Sequence, residues 1–353
     1  MNIVWNSFHG RFSDNPRALW ERLADRPGLR HTWLADRAHL AAFPPGVETV
    51  DIDGPDATAV LEDADLLIAN THTEVAWEKQ PGTTYVQTWH GTPLKRIHRD
   101  VLWAPEGRLD RLDGDVAKWD LLLSPNAVST PRLRQAFRYD GEVLETGYPR
   151  NDLLSDPRSR DVAARLRAEL GIPAGVTVIL YAPTWRDDEV FADGDPEVPV
   201  MLDLVELSRR LSFEHVLLVR AHNMVTGRSR IPNAPSVRDV SLYPDVRDLY
   251  CLADVLVTDY SSVMFDFAIT GRPILYYAYD LDRFRDSVRG FYFDLLPEAP
   301  GPVVSTTADL AAALGDLETH EKAYADRYAT FRETYTSAED GHATDRVLAR
   351  LGL

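Results

Sequence analysis

The sequence predicts an α/β protein with two domains, and two observations lead to this prediction. Short apolar runs of strand length alternate with helical patterns along the chain, which is typical of parallel sheets flanked by helices. A polar, turn-rich segment at 149–160 separates two such series, and 353 residues are enough for two separate cores. We therefore expect one α/β domain in residues 1–150 and a second in residues 151–335.

The apolar runs predict the strands of both domains. In the first domain they lie near 2–7, 30–34, 47–52, 64–69, 83–89, 119–124 and 142–146, and in the second near 176–182, 215–221, 236–240, 254–258 and 273–279. A first helix is expected to start near Pro16, because Asp14 and Asn15 are suitable caps and proline is favoured in the first turn.

Composition narrows the class of protein. The chain is 44% hydrophobic and 26% charged, as in ordinary globular proteins. There is no apolar run of about 18 residues and no signal-peptide pattern at the start, so we expect a cytoplasmic protein. The net charge of −17 argues against nucleic acid as a partner and against broad adhesion to anionic lipid.

Residues 254–280 predict an anion site. A short buried strand runs into a turn at Ser261 and Ser262, where a helix begins that Gly271 ends. Free backbone N–H groups and the helix dipole favour a phosphate there, and Asp266 one turn further on could hold a ribose diol. The alternative is that the serines only cap the helix and that Asp266 is solvated.

Three further strands end in polar or catalytic residue types. They are YVQTWHGTPLK at 85–95, ILYAPTWRDD at 179–188 and VLLVRAHN at 216–223. Ligands of open parallel sheets bind beyond the carboxyl ends of the strands. Endings of this kind in both halves of the chain predict one cleft between two domains.

The ordered set of motifs resembles the CDP-glycerol glycerophosphotransferase family, whose members build teichoic-acid-like polyol phosphate polymers. The motifs are FHGRFSDNPRALWE near the start, TWHGTPLK, LETGYPRND at 144–152, YAPTWRDD, RAH at 220–222, TDYSSVMFDF and RGFYFDLLPEAPGPV at 289–303. They span nearly the whole chain.

The resemblance implies a GT-B architecture, with two Rossmann-like domains facing each other across a cleft. It implies that a C-terminal helix in 336–353 crosses back to the N-terminal domain. It also implies transfer of a polyol phosphate, with glycerol phosphate expected, from a CDP-activated donor to a hydroxyl of a glycan or lipid-linked acceptor, with release of CMP. Because the motifs begin at residue 5, we expect a minimal catalytic unit.

Phosphoryl transfer needs a base for the acceptor hydroxyl and donors for the charge on the pyrophosphate. The histidines of the family's HGT and R-x-H motifs fall on His90 and His222, and we expect His90 to be the base. Such a base would make kcat fall on the acid side near its ordinary pKa of about 6.5. Arg220 and His222, at i and i+2 of one strand, are expected to contact the pyrophosphate. Ala221 replaces a proline common in the family, which leaves the backbone path uncertain there. For an isolated histidine, a hydrogen bond to a loop carbonyl is the alternative role.

The remaining donor-binding residues are predicted from the same strand ends. Trp185 is expected to stack on a ligand or, alternatively, to pack beside its strand. The full predicted set is Gly91, Thr92, Thr184, Trp185, Arg186, Arg220, Thr258, Asp259, Ser261, Ser262, Asp266 and Arg289. No metal constellation, Walker-type loop or cofactor is predicted, because the acidic residues Asp187, Asp188, Asp193 and Asp195 have no fixed ligand spacing.

Two other classes of function remain open from the sequence. A nucleotide-sugar glycosyltransferase or epimerase would use the same scaffold, and a catalytically silent protein could keep the cleft only to bind a nucleotide. Segment 94–103 adds a possible local contact with the inner face of the cell membrane, since Lys95, Arg96 and Arg99 stand beside Leu102 and Trp103. An ordinary amphipathic segment covering the first domain is the alternative.

Overall fold

Two parallel sheets organise the chain in the computed structural model, which describes residues 1–184, 186, 200–211, 214–221, 231–232, 234 and 236–353. The first sheet contains Asn2–Asn6, Arg30–Ala35, Thr49–Asp51, Leu66–Ala69, Thr84–Gln87, Leu121–Ser124 and Glu142–Glu145 (β1–β7). The second sheet contains Thr177–Tyr181, His215–Val219, Val237–Asp239, Val255–Thr258, Ile274–Tyr277 and Val303–Val304 (β8–β13). The strand order is β3-β2-β1-β4-β5-β6-β7 in the first sheet and β10-β9-β8-β11-β12-β13 in the second. The predicted α/β class is confirmed.

Each predicted strand is confirmed to within a few residues. The structure adds β13, which pairs with β12 through Tyr276 and Tyr277 at the sheet edge. Two residues are too short for a recognisable apolar pattern, so this strand is visible only through its pairing.

All but the last three of the helices named below lie between strands in the chain, as crossover connections in parallel sheets require. In the described part of the chain the helices are Asp14–Leu23, Ala57–Glu62, Arg108–Val116, Ser129–Phe137, Asp152–Ser155, Ser159–Glu169, Leu204–Arg210, Val246–Leu252, Val263–Ala268, Leu281–Arg283, Leu295–Glu298, Thr307–Leu314, Leu317–Tyr335 and Ala343–Leu351 (α1–α14). No helix among the described residues is long and apolar enough to cross a membrane.

The C-terminal helix α14 returns to the N-terminal sheet. Its buried side chains Val347 and Leu348 lie in the same apolar cluster as Leu19 of α1 and Leu121 of β6. The chain therefore crosses between the two sheets twice, once near residue 150 and once before α14. The domain boundaries given above remain predictions.

A backbone contact closes one side of the space between the sheets. Lys95 and Phe291 form an antiparallel bridge. On either side of it, Arg96 N donates to Gly290 O at 3.0 Å and Tyr292 N donates to Leu94 O at 2.8 Å. The segment after His90 is thus fixed to the second half of the chain by main-chain hydrogen bonds, which carry no dependence on side-chain identity.

Candidate active site

His90 lies three residues beyond the end of β5, in a turn with an unusual backbone. Trp89 has φ +53°, in the left-handed region that a bulky residue rarely adopts. Its N–H donates to Gln87 Oε1 at 2.9 Å, and its carbonyl accepts from Asn15 Nδ2 at 3.0 Å. These side-chain contacts on both sides of the residue hold the turn that presents the histidine.

The tautomer of His90 follows from its hydrogen bond. Its Nδ1 lies 2.5 Å from Asn70 O. A carbonyl oxygen can only accept, so Nδ1 carries the proton and Nε2 of the neutral ring keeps its lone pair. The loop-carbonyl contact considered as an alternative role is present, and it leaves the other nitrogen able to take a proton.

Electrostatics keep this ring neutral. Burial lowers the pKa of His90 to about 4, and the hydrogen bond to the Asn70 carbonyl only partly opposes this. The rings of Phe8 and Trp89 contribute to that environment, at centroid distances of 5.1 and 4.2 Å. The expectation of an ordinary pKa is corrected: the lowered pKa means that the base form of His90 persists to a lower pH.

Gly91 brings the two halves of the chain into contact. A Cβ atom at this position would lie 2.7 Å from Ser262 Oγ, closer than real Cβ contacts allow. The HGT turn therefore meets the start of α9, and only glycine fits between them without a shift. Thr92 is buried beside it, at 3% exposure.

The turn before α9 differs from the predicted helix start. The helix spans only Val263–Ala268, and Ser262 makes no side-chain capping hydrogen bond. Ser261 is buried and Ser262 is partly exposed. Ser262 therefore does not cap the helix through its side chain, which was the alternative role for these serines.

Asp266 occupies a different environment from the one that the sequence predicted. Both its carboxylate oxygens accept from Arg150 Nη2, at 3.1 and 2.9 Å, and Oδ1 also accepts from Asn151 Nδ2 at 3.0 Å. The side chain is 5% exposed, and burial raises its pKa while Arg150 opposes that rise. A solvated carboxylate is ruled out, and the geometry favours an ion pair between the domains over a ribose contact.

Arg186 is likewise held by protein groups. Its guanidinium bridges Asp259 Oδ2 at 3.0 Å and both oxygens of Asp280, and it donates to Thr184 O at 2.7 Å. Burial lowers the pKa of Arg186, but the attraction of Asp259 and Asp280 outweighs it and keeps the pKa above the ordinary value. The geometry therefore favours a structural role for this arginine over the predicted contact with a donor.

Asp259 and Thr258 also hold strand ends in place. Asp259 Oδ1 accepts from the backbone N–H groups of Thr184 and Tyr260. Thr258 Oγ1 donates to Ala182 O at 2.8 Å and is fully buried. Thr184 remains at the interface, with its Oγ1 3.5 Å from Nζ of Lys95.

The other predicted residues are placed in part. Arg220 Nη1 donates to Val240 O and Tyr243 O, and burial lowers the pKa of its guanidinium. Arg289 Nε donates to Arg96 O at 3.1 Å. His222, Trp185 and the acidic residues Asp187, Asp188, Asp193 and Asp195 lie outside the described residues. Among the residues that are described, no group of three or more His, Cys, Asp or Glu could hold a metal ion.

Sequence reasoning missed the residues that join the two halves of the site. Arg150 also donates through Nη1 to Asp14, at 3.1 Å to each oxygen, and Asn151 Nδ2 donates to Glu339 Oε1 at 3.1 Å. Arg150 and Asn151 fall in the motif at 144–152, so the sequence singled out these residues but indicated no role for them. Glu339 lies in no motif, and only the returning chain brings it here.

The fold and this site define a two-domain α/β protein of GT-B architecture, with a histidine at the contact between its halves. The chain belongs to the CDP-glycerol:poly(glycerophosphate) glycerophosphotransferase family, whose pattern matches residues 1–352. It is 39% identical over 355 residues to a teichoic acid glycerol-phosphate transferase of Staphylococcus aureus, covering 98% of this chain and 91% of that one.

Three further proteins extend the comparison. A teichoic acid poly(glycerol phosphate) polymerase of Bacillus subtilis is 34% identical over 98% of this chain, which spans only 48% of that polymerase. The structure of the wall teichoic acid polymerase TagF superposes with a TM-score of 0.89 at 33% identity, covering 99% of this chain and 88% of that one. A UDP-GlcNAc 2-epimerase from Neisseria meningitidis superposes with a TM-score of 0.58 at 13% identity, which shows the shared fold alone.

Proposed function

We propose that this protein transfers glycerol phosphate from CDP-glycerol to a hydroxyl of a glycan or lipid-linked acceptor, with His90 as the general base. The observation that carries the proposal is the tautomer of His90, whose Nε2 keeps a lone pair beside the contact of Gly91 with Ser262. Family membership supplies the donor class. A neutral imidazole at this point is what removal of a hydroxyl proton requires.

The proposed reaction is an in-line displacement at the phosphorus that bears glycerol. The acceptor oxygen attacks the phosphorus that bears glycerol, and the bond from that phosphorus to the bridging oxygen breaks. The hydroxyl proton passes to His90 Nε2, while CMP leaves with the electron pair of the broken bond. The product is a phosphodiester, and the protonated imidazole returns its proton to solvent or to the departing phosphate.

The donor is proposed to lie across the contact between the two halves. Gly91 meets Ser262 at that contact. We propose that these two residues, with Thr92, Thr184 and Ser261, offer the backbone N–H groups and hydroxyls that suit a pyrophosphate. Arg220, His222, Trp185 and Arg289 are proposed to complete the donor site. Thr258, Asp259, Arg186 and Asp266 are proposed to shape it through the contacts described above, without touching the donor.

Glycerol is proposed over ribitol because two relatives that are 39% and 34% identical along 98% of this chain are named for glycerol phosphate. The names of these two relatives as teichoic acid enzymes support the proposed glycan or lipid-linked acceptor. Whether one unit or many are added is a separate property of the acceptor site.

A single assay tests the proposal. Purified protein is incubated with CDP-glycerol, CDP-ribitol or UDP-sugars and a teichoic-acid primer, and release of CMP or UDP is measured. We expect CMP from CDP-glycerol, less from CDP-ribitol, and no UDP. UDP release would favour the glycosyltransferase alternative, and no release from any donor would favour a binding protein.

A pair of histidine variants tests the base. His90→Ala should cut kcat by about a hundredfold or more and leave donor affinity close to that of the wild type. His320→Ala, in helix α13 away from the site, is the matched control and should be unaffected. Since the pKa of His90 is lowered to about 4, kcat/KM should persist well below the ordinary histidine range on the acid side. Near-normal turnover of folded His90→Ala would remove His90 from the reaction.

A membrane contact through segment 94–103 is proposed only for its apolar part. Leu102 and Trp103 are 46% and 61% exposed. Arg99 forms ion pairs with Asp110 and Asp113. Its charge is therefore compensated within the protein, whereas the sequence predicted that it would face anionic lipid. Replacing Leu102 and Trp103 with serine should therefore reduce sedimentation with anionic vesicles more than Arg96→Glu does, and equal binding of both variants and the wild type would contradict the contact.

A further inference from the structure

Asn15 contacts the turn that carries His90 and is completely buried, with 0% exposure. Its Nδ2 donates to Trp89 O at 3.0 Å, and its Oδ1 accepts from the backbone N–H of Arg150 at 3.1 Å. One side-chain amide thus joins the His90 turn to the chain segment that crosses between the domains. Both ends of the amide are satisfied, which also fixes its orientation.

The turn needs such a contact because of its backbone. Trp89 at φ +53° is a conformation that costs free energy and persists only where the surroundings enforce it. The Trp89 carbonyl belongs to the same peptide plane as the N–H of His90. Holding that oxygen therefore sets the plane from which the imidazole of His90 projects.

Asn15 is itself positioned by the interface between the domains. The neighbouring Asp14 donates its backbone N–H to Asp245 Oδ2 at 2.9 Å, and its carboxylate accepts from Arg150. Asp14 and Arg150 also influence the charge on His90, the first raising its pKa and the second lowering it. The side-chain amide of Asn15 thus connects the contacts with the second domain to the His90 turn.

We propose that Asn15 is a positioning residue for the reaction, which holds the His90 turn in its reactive geometry when the two domains are in contact. The inference rests on the proposed role of His90 as base. Asn15 itself touches neither the reacting hydroxyl nor the donor, because it is enclosed by Trp89 and Arg150.

The test compares three variants. Asn15→Asp keeps an oxygen for the Arg150 N–H but replaces the donor that Trp89 O receives, and Asn15→Ala removes both contacts. Arg22→Gln changes the exposed face of the same helix, where Arg22 pairs with the exposed Asp345, and serves as the control. We expect kcat to fall by about tenfold in both Asn15 variants and donor KM to change by less than about threefold, while Arg22→Gln behaves as the wild type.

A second readout separates positioning from general damage. The ring nitrogens of His90, labelled with ¹⁵N and assigned through the loss of their signal in His90→Ala, report tautomer and titration. In the wild type we expect the form protonated on Nδ1 and a low pKa. In Asn15→Asp the ring should lose its tautomer preference and titrate closer to the ordinary range, with CMP binding retained as evidence that the protein is folded.

The outcomes separate this inference from the proposed function. If His90→Ala keeps its turnover, the role of His90 as base fails and the inference fails with it. If His90→Ala is inactive while Asn15→Asp has wild-type kcat and unchanged His90 signals, the proposed function stands and the inference is wrong. A defect of Asn15→Asp confined to donor KM also overturns it.

Discussion

Arg150 and Arg186 are both buried, and each pairs with two carboxylates. Arg150 links the two halves of the chain, whereas Arg186 links two strand ends of one sheet. Arg150 is 1% exposed and Arg186 is 2% exposed. Each guanidinium uses its planar fork to contact one aspartate through Nη1 and another through Nη2. Their local ion-pair chemistry is therefore nearly the same.

The partners differ in where they come from. Arg186 contacts Asp259 and Asp280, which lie at neighbouring strand ends of one sheet, and three aromatic rings surround it within 5.2 Å. Arg150 contacts Asp14 at the start of α1 and Asp266 in α9, which belong to opposite halves of the chain. The same kind of buried ion pair therefore stiffens one domain around Arg186 and fixes two domains together at Arg150.

Arg150→Met is expected to have the largest effect. Removing the guanidinium leaves Asp14 and Asp266 buried without their shared cation, which typically costs about 3–5 kcal/mol. We expect the free energy of unfolding to fall by that amount in urea denaturation and turnover to fall with it. Arg158→Met, which breaks an exposed pair with Asp156, is the matched control and should cost about 0–1 kcal/mol. Equal losses in the two variants would contradict the interdomain role.

Arg186→Lys should have a smaller effect. Lysine keeps the charge but loses the fork and the stacking on aromatic rings, so we expect a loss of about 1–3 kcal/mol in the free energy of unfolding. CMP affinity, measured calorimetrically on the folded variant, should change little. A selective loss of CMP or CDP-glycerol binding with normal stability would restore the predicted contact of Arg186 with the donor.

Asp266→Asn tests whether that carboxylate serves the contact between the domains or the nucleotide. The amide keeps the shape but weakens the bonds to Arg150 and Asn151, so the free energy of unfolding should fall by about 1–2 kcal/mol. CMP affinity should stay within about threefold of the wild type, because the geometry favours the interdomain contact. If stability is unchanged and CMP binding weakens, Asp266 contacts the nucleotide as the sequence suggested.

Glu339→Gln should have the smallest effect, and only at higher pH. Burial, with a further contribution from Asp266, raises the pKa of Glu339 from 4.5 to about 8. The folded protein then binds this proton more tightly than the unfolded chain, so the stabilising contribution is full below 4.5 and is lost as the pH rises through about 8. The variant has no proton to lose there.

Thermal denaturation from about pH 5 to about pH 9 checks this prediction. The melting temperature of the wild type should fall more over that range than that of Glu339→Gln. Parallel curves for the two proteins would show that Glu339 is ionised in the folded state throughout. Glu298→Gln, in helix α11, provides the control for a general change in charge.

The strands show how much the sequence could predict about the fold. Apolar runs such as Leu121–Ser124 and Val255–Thr258 were predicted because fully buried parallel strands leave an uninterrupted signal in the sequence. The edge strand Val303–Val304 was missed because two residues leave no such signal. His90, Gly91 and Ser262 were selected because they follow strands, and the structure brings these three together.

The α/β class, the strand positions and the polar strand ends can be predicted from the sequence, because period, apolarity and turn chemistry are local properties of the chain. The partners of the charged side chains are set only when the chain folds. Asp266 received Arg150, which is 116 residues away in the chain, and Asn151 received Glu339, which is 188 residues away. A carboxylate at a predicted helix start looks the same in sequence whether it faces a ligand or a buried arginine, since its role is set by the charge that folding places opposite it.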